Sequence, residues 1–234
     1  MPLLFPKLVS ERAKVYHKLR KRALAMQKFT LLTGVAAPLM RPNINTDVLI
    51  RIERMMYLPR GKLGPYCFEA WRYREDGSED PDFVLNRPPY RGSTILLAGD
   101  NFGCGSSREP AVWSLSEMGY RCVIAPSFGD IFFNNCFQTG MLPIVLPAAT
   151  VVELASEAEC DSSDAAMGRE FTVDLTQQII TAPSGRQVAF RVDGAKRRAL
   201  LEGLEEIQMT LTLAGEIAGF QDSDRRRRPW IYRF

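Results

Sequence analysis

Between residues 93 and 147 strand-like and helix-like text alternate, and this succession constrains the fold more than any other feature of the chain. STILLAGDNF (93–102) carries a β-type apolar run ending in a turn, and GCGSSR (103–108) is a Gly/Ser loop. EPAVWSLSEMG (109–119) has helical character and closes on Gly119, and YRCVIAP (120–126) is a second apolar strand. SFGDIFFNNCFQTG (127–140) is a second short helix closed by glycine, followed by a third strand, MLPIVLP (141–147). Strands joined through helices cross over and line up parallel, so the order implies βαβ units around a parallel core sheet.

The flanking text is compatible with that core. QKFTLLTGVAAPL (27–39) reads as a strand with a turn, RPNINTD (41–47) as a turn, and VLIRIERMMYL (48–58) as helical or mixed. LPRGKLGP (58–65) is a loop, YCFEAWRY (66–73) a short helix and REDGSEDPDF (74–83) a polar surface loop. ATVVELASEAE (149–159) is a helix, and 170–192 alternates at period two around a Pro-Ser-Gly turn, which predicts a hairpin. Residues 193–220 begin as an amphipathic helix. Three regions are expected: a basic extension over 1–25, with Met26 favoured as the true start; one domain over 26–220; and a basic flexible tail over 221–234. The fold class is α/β, a mostly parallel core sheet with flanking hairpins.

Composition narrows the chemistry. The chain has 234 residues and is 46% hydrophobic and 24% charged, which excludes collagenous, disordered and disulfide-stapled classes. No run approaches the roughly 18 apolar residues of a membrane span, and a cytoplasmic location is expected. The one histidine, His17, lies outside the body, so a mechanism in the body works without imidazole. The five cysteines (67, 104, 122, 136 and 160) form no C-x-x-C and no compact metal spacing, and read as reduced thiols, mostly small core residues. Residues 1–25 carry +6 and residues 221–234 carry +3; with a total of +3, the body is acidic at −6. Two basic ends on an acidic body give little support to nucleic-acid binding, which is kept as an alternative of a different class for Arg225–Arg228 with Trp230 and Tyr232.

The candidate site is the loop Gly103–Arg108, at the carboxyl end of a parallel strand, where ligands bind in such sheets. Its glycines allow close backbone approach. Ser107 is a candidate N-cap, leaving helix-start amides for an anion, and Arg108 adds a fork suited to a carboxylate. Taken alone, this reads more readily as a well-capped helix after a glycine turn than as a site. Asn43, Asn45, Thr46 and Asp47 share one turn, and Ser127, Asp130, Asn134 and Asn135 follow the next strand. Turn and cap roles account for each group in isolation.

Read together, NINTD (43–47), FVLNRPPYRG (83–92), GDNFGCGSSRE (99–109) and VIAPSFGDIFFNN (123–135), with GMLPI (140–144) after it, resemble one family. It is the small subunit of 3-isopropylmalate dehydratase, itself similar to the swivelling fourth domain of aconitase. The resemblance runs from about Met26 to about Phe220. It implies a single swivelling β/β/α domain and a two-chain hydro-lyase, heterodimeric or heterotetrameric, acting on a small dicarboxylate in leucine biosynthesis. No cofactor is expected on this chain; a [4Fe–4S] cluster is expected on the large subunit. Ser106 matches the catalytic serine base and Arg108 the substrate-carboxylate arginine. Asp47 matches an acidic position near the cleft; Thr46, Gly105 and Ser107 complete the expected substrate-binding set. Arg51 to Gly64 matches the loop that selects the substrate side chain, with Arg60 its best polar candidate.

Four positions depart from the family pattern: Pro110 stands where histidine is usual, Asn45 replaces an acid, Arg51 a proline and Gly129 an alanine. A methylmalate- or dimethylmalate-type substrate is therefore the alternative within the class, and an inactive paralogue a third. A serine base also poses a physical problem. A helix N-terminus supplies at most about 2 kcal/mol, or about 1.5 pKa units, far too little to make serine a resting alkoxide. Arg108, the partner and water exclusion on closure must supply the rest.

Overall fold

The computed structural model describes residues 26–105, 108–159 and 170–232; the expected extension 1–25, Ser106, Ser107, Cys160 and residues 233–234 lie outside the described residues. The chain divides into two compact units, Lys28–Glu202 and a second that includes 203–232.

In the larger unit the strands are β1 (Leu31–Leu39), β2 (Ile95–Ala98), β3 (Cys122–Ala125), β4 (Leu142–Val145), β5 (Glu170–Asp174), β6 (Ile179–Thr181) and β7 (Gln187–Ala189). They form one sheet in the order β4-β3-β2-β1-β5-β6-β7. β1 is the pivot. Its second half pairs parallel with β2 (Ala36 opposite Ile95), and its first half pairs antiparallel with β5 (Leu31 opposite Asp174). β2–β3 and β3–β4 are parallel, as the crossovers require, whereas β5–β6 and β6–β7 are antiparallel. The expected single hairpin over 170–192 is instead a three-stranded meander. Its first turn carries no Gly or Pro. It is made by the Asp174 carboxylate, which accepts the Gln177 N–H at 2.8 Å, and by Gln178 in the left-handed region at φ 57°.

The helices are α1 (Thr46–Leu49), α2 (Ile52–Tyr57), α3 (Glu69–Arg72), α4 (Glu109–Met118), α5 (Asp130–Thr139), α6 (Ala148–Glu159) and α7 (Gly194–Glu202). α4 and α5 close on Gly119 and Gly140, as expected from the sequence. The mixed stretch 48–58 resolves into the end of α1 and all of α2, because Asn45 N-caps α1 and Ile50 and Arg51 are extended. The parallel strands are buried on both faces. Ala37, Leu96, Ala98, Val123 and Ala125 pack with α4 (Ala111, Val112, Leu115) and with Phe132 of α5. The alternate residues Ala36, Ile95, Leu97, Cys122 and Ile124 pack with α6 (Val151, Leu154, Ala155) and with Phe171 and Val173 of β5.

Beyond Glu202, α8 (Glu206–Leu211) opens on a reciprocal capping box between Glu205 and Gln208, and α9 (Ala214–Arg227) follows. The stretch expected as a flexible tail is thus helical to Arg227 and continues as a single turn over Pro229–Tyr232. Asp224 organises that turn. Its carboxylate accepts Arg228 Nε at 2.7 Å and the Tyr232 hydroxyl at 3.0 Å, and the Arg228 contact holds its carboxyl below the usual range. Two of the groups proposed for nucleic acid are thereby engaged within the unit.

Past the ends of β1, β2 and β3 the three loops stay paired. Gly103 N–H donates to Ile44 O at 2.7 Å, Thr46 N–H to Cys104 O at 3.1 Å, and Phe102 N–H to Ser127 O at 3.0 Å. Gly103 sits at φ 72°, and a Cβ there would lie 2.2 Å from Phe132 Cγ. Gly103→Ala is therefore expected to cost at least about 2 kcal/mol through overpacking and left-handed strain. Gly194→Ala, where a Cβ meets nothing within 4 Å, is expected to stay within about 0.5 kcal/mol. Urea midpoints of the two variants measure the difference, and equal midpoints would remove the packing argument.

Candidate active site

The paired loops bring most of the expected residues to one end of the sheet. Asn45 caps α1, its Oδ1 accepting the Val48 N–H at 2.9 Å. Thr46 is buried and Asp47 is exposed in the first turn of α1. Gly105, at φ 93°, lies against them: a Cβ built on it would be 3.7 Å from Asn45 Cβ and 3.8 Å from Thr46 Oγ1. Thr46, Asp47 and Gly105 therefore share one neighbourhood. Ser106 and Ser107 lie outside the described residues, between Gly105 and the exposed Arg108.

The helix start differs from expectation. α4 begins at Glu109, so the N-cap position is Arg108, with no side-chain cap. The second helical residue is Pro110, which has no N–H, and the Ala111 N–H donates to Arg108 O at 3.0 Å. The Glu109 N–H is what the first turn retains for an anion among the described residues, and an exposed guanidinium stands at the same point.

The floor of the site is aromatic. Phe102 packs edge-on against Phe132 with centroids 5.4 Å apart, and Phe128 lies 6.3 Å from Phe102 and stacks on Phe132. Above it, Ser127 ties two loops: its hydroxyl accepts the Asn101 N–H at 2.9 Å and donates to the Asp100 carboxylate. Asn101 Nδ2 reaches Asn43 Oδ1 at 2.8 Å. Ser127 is thus a loop tie, and Asp130 opens α5 behind Gly129, which approaches Gly103 so closely that a Cβ would meet its carbonyl at 2.6 Å.

Arg60 is not at the helix start. It lies over the indole of Trp113 on α4, 4.9 Å from the ring centroid. The loop that follows it is bound by a residue missed in the sequence reading, Glu117. Its carboxylate accepts N–H groups from Gly61 (2.6 Å), Leu63 (2.6 Å) and Gly64 (3.1 Å). The only sequence signal is that Trp113 and Glu117 share a helix face with spacing four, and nothing in it points to the loop. Arg51 and Arg54 both pair with Glu69, at 3.3 and 3.0 Å, and Arg54 covers the Tyr66 ring at 4.2 Å. These side chains line an open cleft of about 620 Å³ with Tyr73 and Arg74.

Among the described residues no group of three or more His, Cys, Asp or Glu could hold a metal ion, and no helix is long and apolar enough to cross a membrane. The four described thiols do not group into a cluster site. Cys67, Cys122 and Cys136 are buried and unpaired in the core, and burial pushes each thiol up, Cys67 to about 12. Cys104, in the site loop, is partly exposed. At pH 8 a thiol of pKa near 12 is ionised to only about one part in ten thousand, so burial and ionisation both block its reaction. Iodoacetamide is therefore expected to label Cys104 in the native protein, and Cys67, Cys122 and Cys136 only after unfolding. Peptide mass spectrometry reads this directly, and native labelling of Cys67 would contradict the burial.

Comparisons with known proteins place these features in context. The family model of the aconitase C-terminal domain matches residues 26–149, and a second model, LeuD_N, matches residues 163–194. The 3-isopropylmalate dehydratase small subunit of Paramagnetospirillum magneticum is 49% identical over 206 residues, covering 88% of this chain and 100% of that protein. That of Cupriavidus necator is 51% identical over 209 residues, covering 88% of this chain and 99% of that protein. A crystal structure of 3-isopropylmalate dehydratase from Methanocaldococcus jannaschii shares the fold, with a TM-score of 0.56 at 23% identity, covering 82% of this chain and 99% of that one.

Proposed function

The chain belongs to the family of 3-isopropylmalate dehydratase small subunits, and on that footing we propose that it is the small subunit of a two-chain hydro-lyase of leucine biosynthesis. The reaction interconverts 2-isopropylmalate and 3-isopropylmalate by dehydration and rehydration. The observation that carries this reading is identity of about half the residues over the full length of such subunits. The partner is a large subunit, in a heterodimer or heterotetramer, and the location is cytoplasmic. When bound on that subunit, an iron–sulfur cluster supplies the Lewis acidity that a leaving hydroxyl needs.

On this chain the roles are those that the family resemblance implies. A proton must leave a carbon next to a carboxylate, and Ser106, which matches the family's serine base, takes it; a serine in that role is consistent with a body that has no histidine. Arg108, exposed at the helix start, binds the substrate carboxylate and favours negative charge beside Ser106. Gly105 and Ser107 bring main chain up to the substrate, and Thr46 and Asp47 border it from α1. Arg51–Gly64, with Arg60, faces the substrate side chain. The helix start alone is too weak a field to ionise serine, so proton abstraction requires the closed, water-excluded complex.

Co-expression with the large subunit and an assay of hydration of the unsaturated intermediate test the reading. Ser106→Ala is expected to lower kcat by about 10²–10⁴. Arg108→Lys, which loses the two-pronged contact, is expected to raise KM and lower kcat/KM by about tenfold or more. Full activity of Ser106→Ala would remove the serine from the mechanism.

A further inference from the structure

α4 carries two structures at once. Its N-terminus ends the loop that holds Ser106 and Arg108, and its other half is bound to the loop over Arg60–Gly64. Glu117 makes that second attachment with both carboxylate oxygens: Oε1 accepts the Gly61 N–H, and Oε2 accepts those of Leu63 and Gly64. Leu63 is buried between the loop and the core, and Gly64 presses on the end of α4 so closely that a Cβ would meet Glu117 O at 2.7 Å. One turn back toward the N-terminus, Trp113 carries the guanidinium of Arg60 on its ring. The loop therefore runs along α4 in a fixed register, from the Glu117 attachment toward the end where Arg108 stands.

We propose that Glu117 is a positioning residue for substrate selection: its carboxylate latches the Gly61–Gly64 backbone to α4 and thereby sets Arg60 on Trp113 at a fixed distance from the helix start. The proposal rests on the reading of Arg51–Gly64 as the substrate-selecting loop. Three N–H groups converging on one carboxylate make charge-assisted bonds, stronger than neutral ones, and they fasten the loop to α4 just ahead of the single turn Gly64–Tyr66. Because the latch and the serine loop share one rigid helix, the distance between the substrate's carboxylate and its side-chain pocket is built into α4. Discrimination between a branched and a shorter 2-hydroxy dicarboxylate depends on that distance, and abstraction of the proton does not.

The test uses the assembled two-chain enzyme. Glu117→Gln leaves one carbonyl oxygen and puts an amide N–H₂, which cannot accept, where the other stood. KM for 2-isopropylmalate is expected to rise about tenfold with kcat within about twofold. The ratio of kcat/KM for 2-isopropylmalate over a methylmalate-type acid is expected to fall about tenfold. Glu117→Asp, which keeps both oxygens, is expected to recover part of the ratio. Hydrogen exchange on the full small subunit gives a second readout that needs no activity. The amides of Gly61, Leu63 and Gly64 are expected to exchange at least tenfold faster in Glu117→Gln, with the circular dichroism spectrum retained. A fall in kcat that is equal for both substrates, or unchanged exchange at 61–64, would overturn the latch. If the wild-type complex does not turn over 2-isopropylmalate, the functional reading fails instead, and the exchange measurement still decides whether Glu117 holds the loop.

Discussion

Main-chain hydrogen bonds between three loops hold the candidate site together. Gly103 donates to Ile44, Thr46 to Cys104 and Phe102 to Ser127, so the pairing of β1, β2 and β3 continues past the ends of the strands. Each bond is worth about 1 kcal/mol net, but leaving these groups unpaired in a packed loop would cost more than that. The pairing requires backbones to touch. Gly103 and Gly129 allow it, because a side chain at either position would collide with Phe132 or with the Gly103 carbonyl. Thr46, Asp47 and Gly105 are displayed from this paired platform.

The platform is rigid because of what lies under it. The parallel strands bury both faces, and the aromatic group of Phe102, Phe128 and Phe132 fills the space between the loops and α5. A buried phenylalanine contributes about 1.5–3 kcal/mol, so this group outweighs the polar ties above it. The ties supply direction instead. Ser127, Asp100, Asn101 and Asn43 decide how the loops face each other, and Glu117 decides where the next loop lies along α4.

Much of this was legible in the chain. The alternation over 93–147 and the closing glycines have local causes, and they appear where local rules put them. Misses arose where a distant or atypical partner intervened. The turn after Asp174 is made by a side chain rather than by Gly or Pro, so one expected hairpin is a meander. The first turn of α4 starts one residue later than a serine cap implies, leaving Arg108 at the cap position. Asp224 gathers Arg228 and Tyr232 four and eight residues away, which gives a polar tail a folded turn.

The sequence by itself determined the α/β class, the parallel core, the absence of imidazole from the body and the loop that offers a serine and an arginine. These follow from period, composition and glycine placement, which act over a few residues. Only the tertiary structure decided that Asn45–Asp47 meets Gly105, that Ser127 is a tie between loops, and that Glu117 holds residues more than fifty positions earlier in the chain. Those facts depend on which backbone N–H groups lack a local partner and which distant oxygen the fold carries to them, and no local pattern encodes that choice.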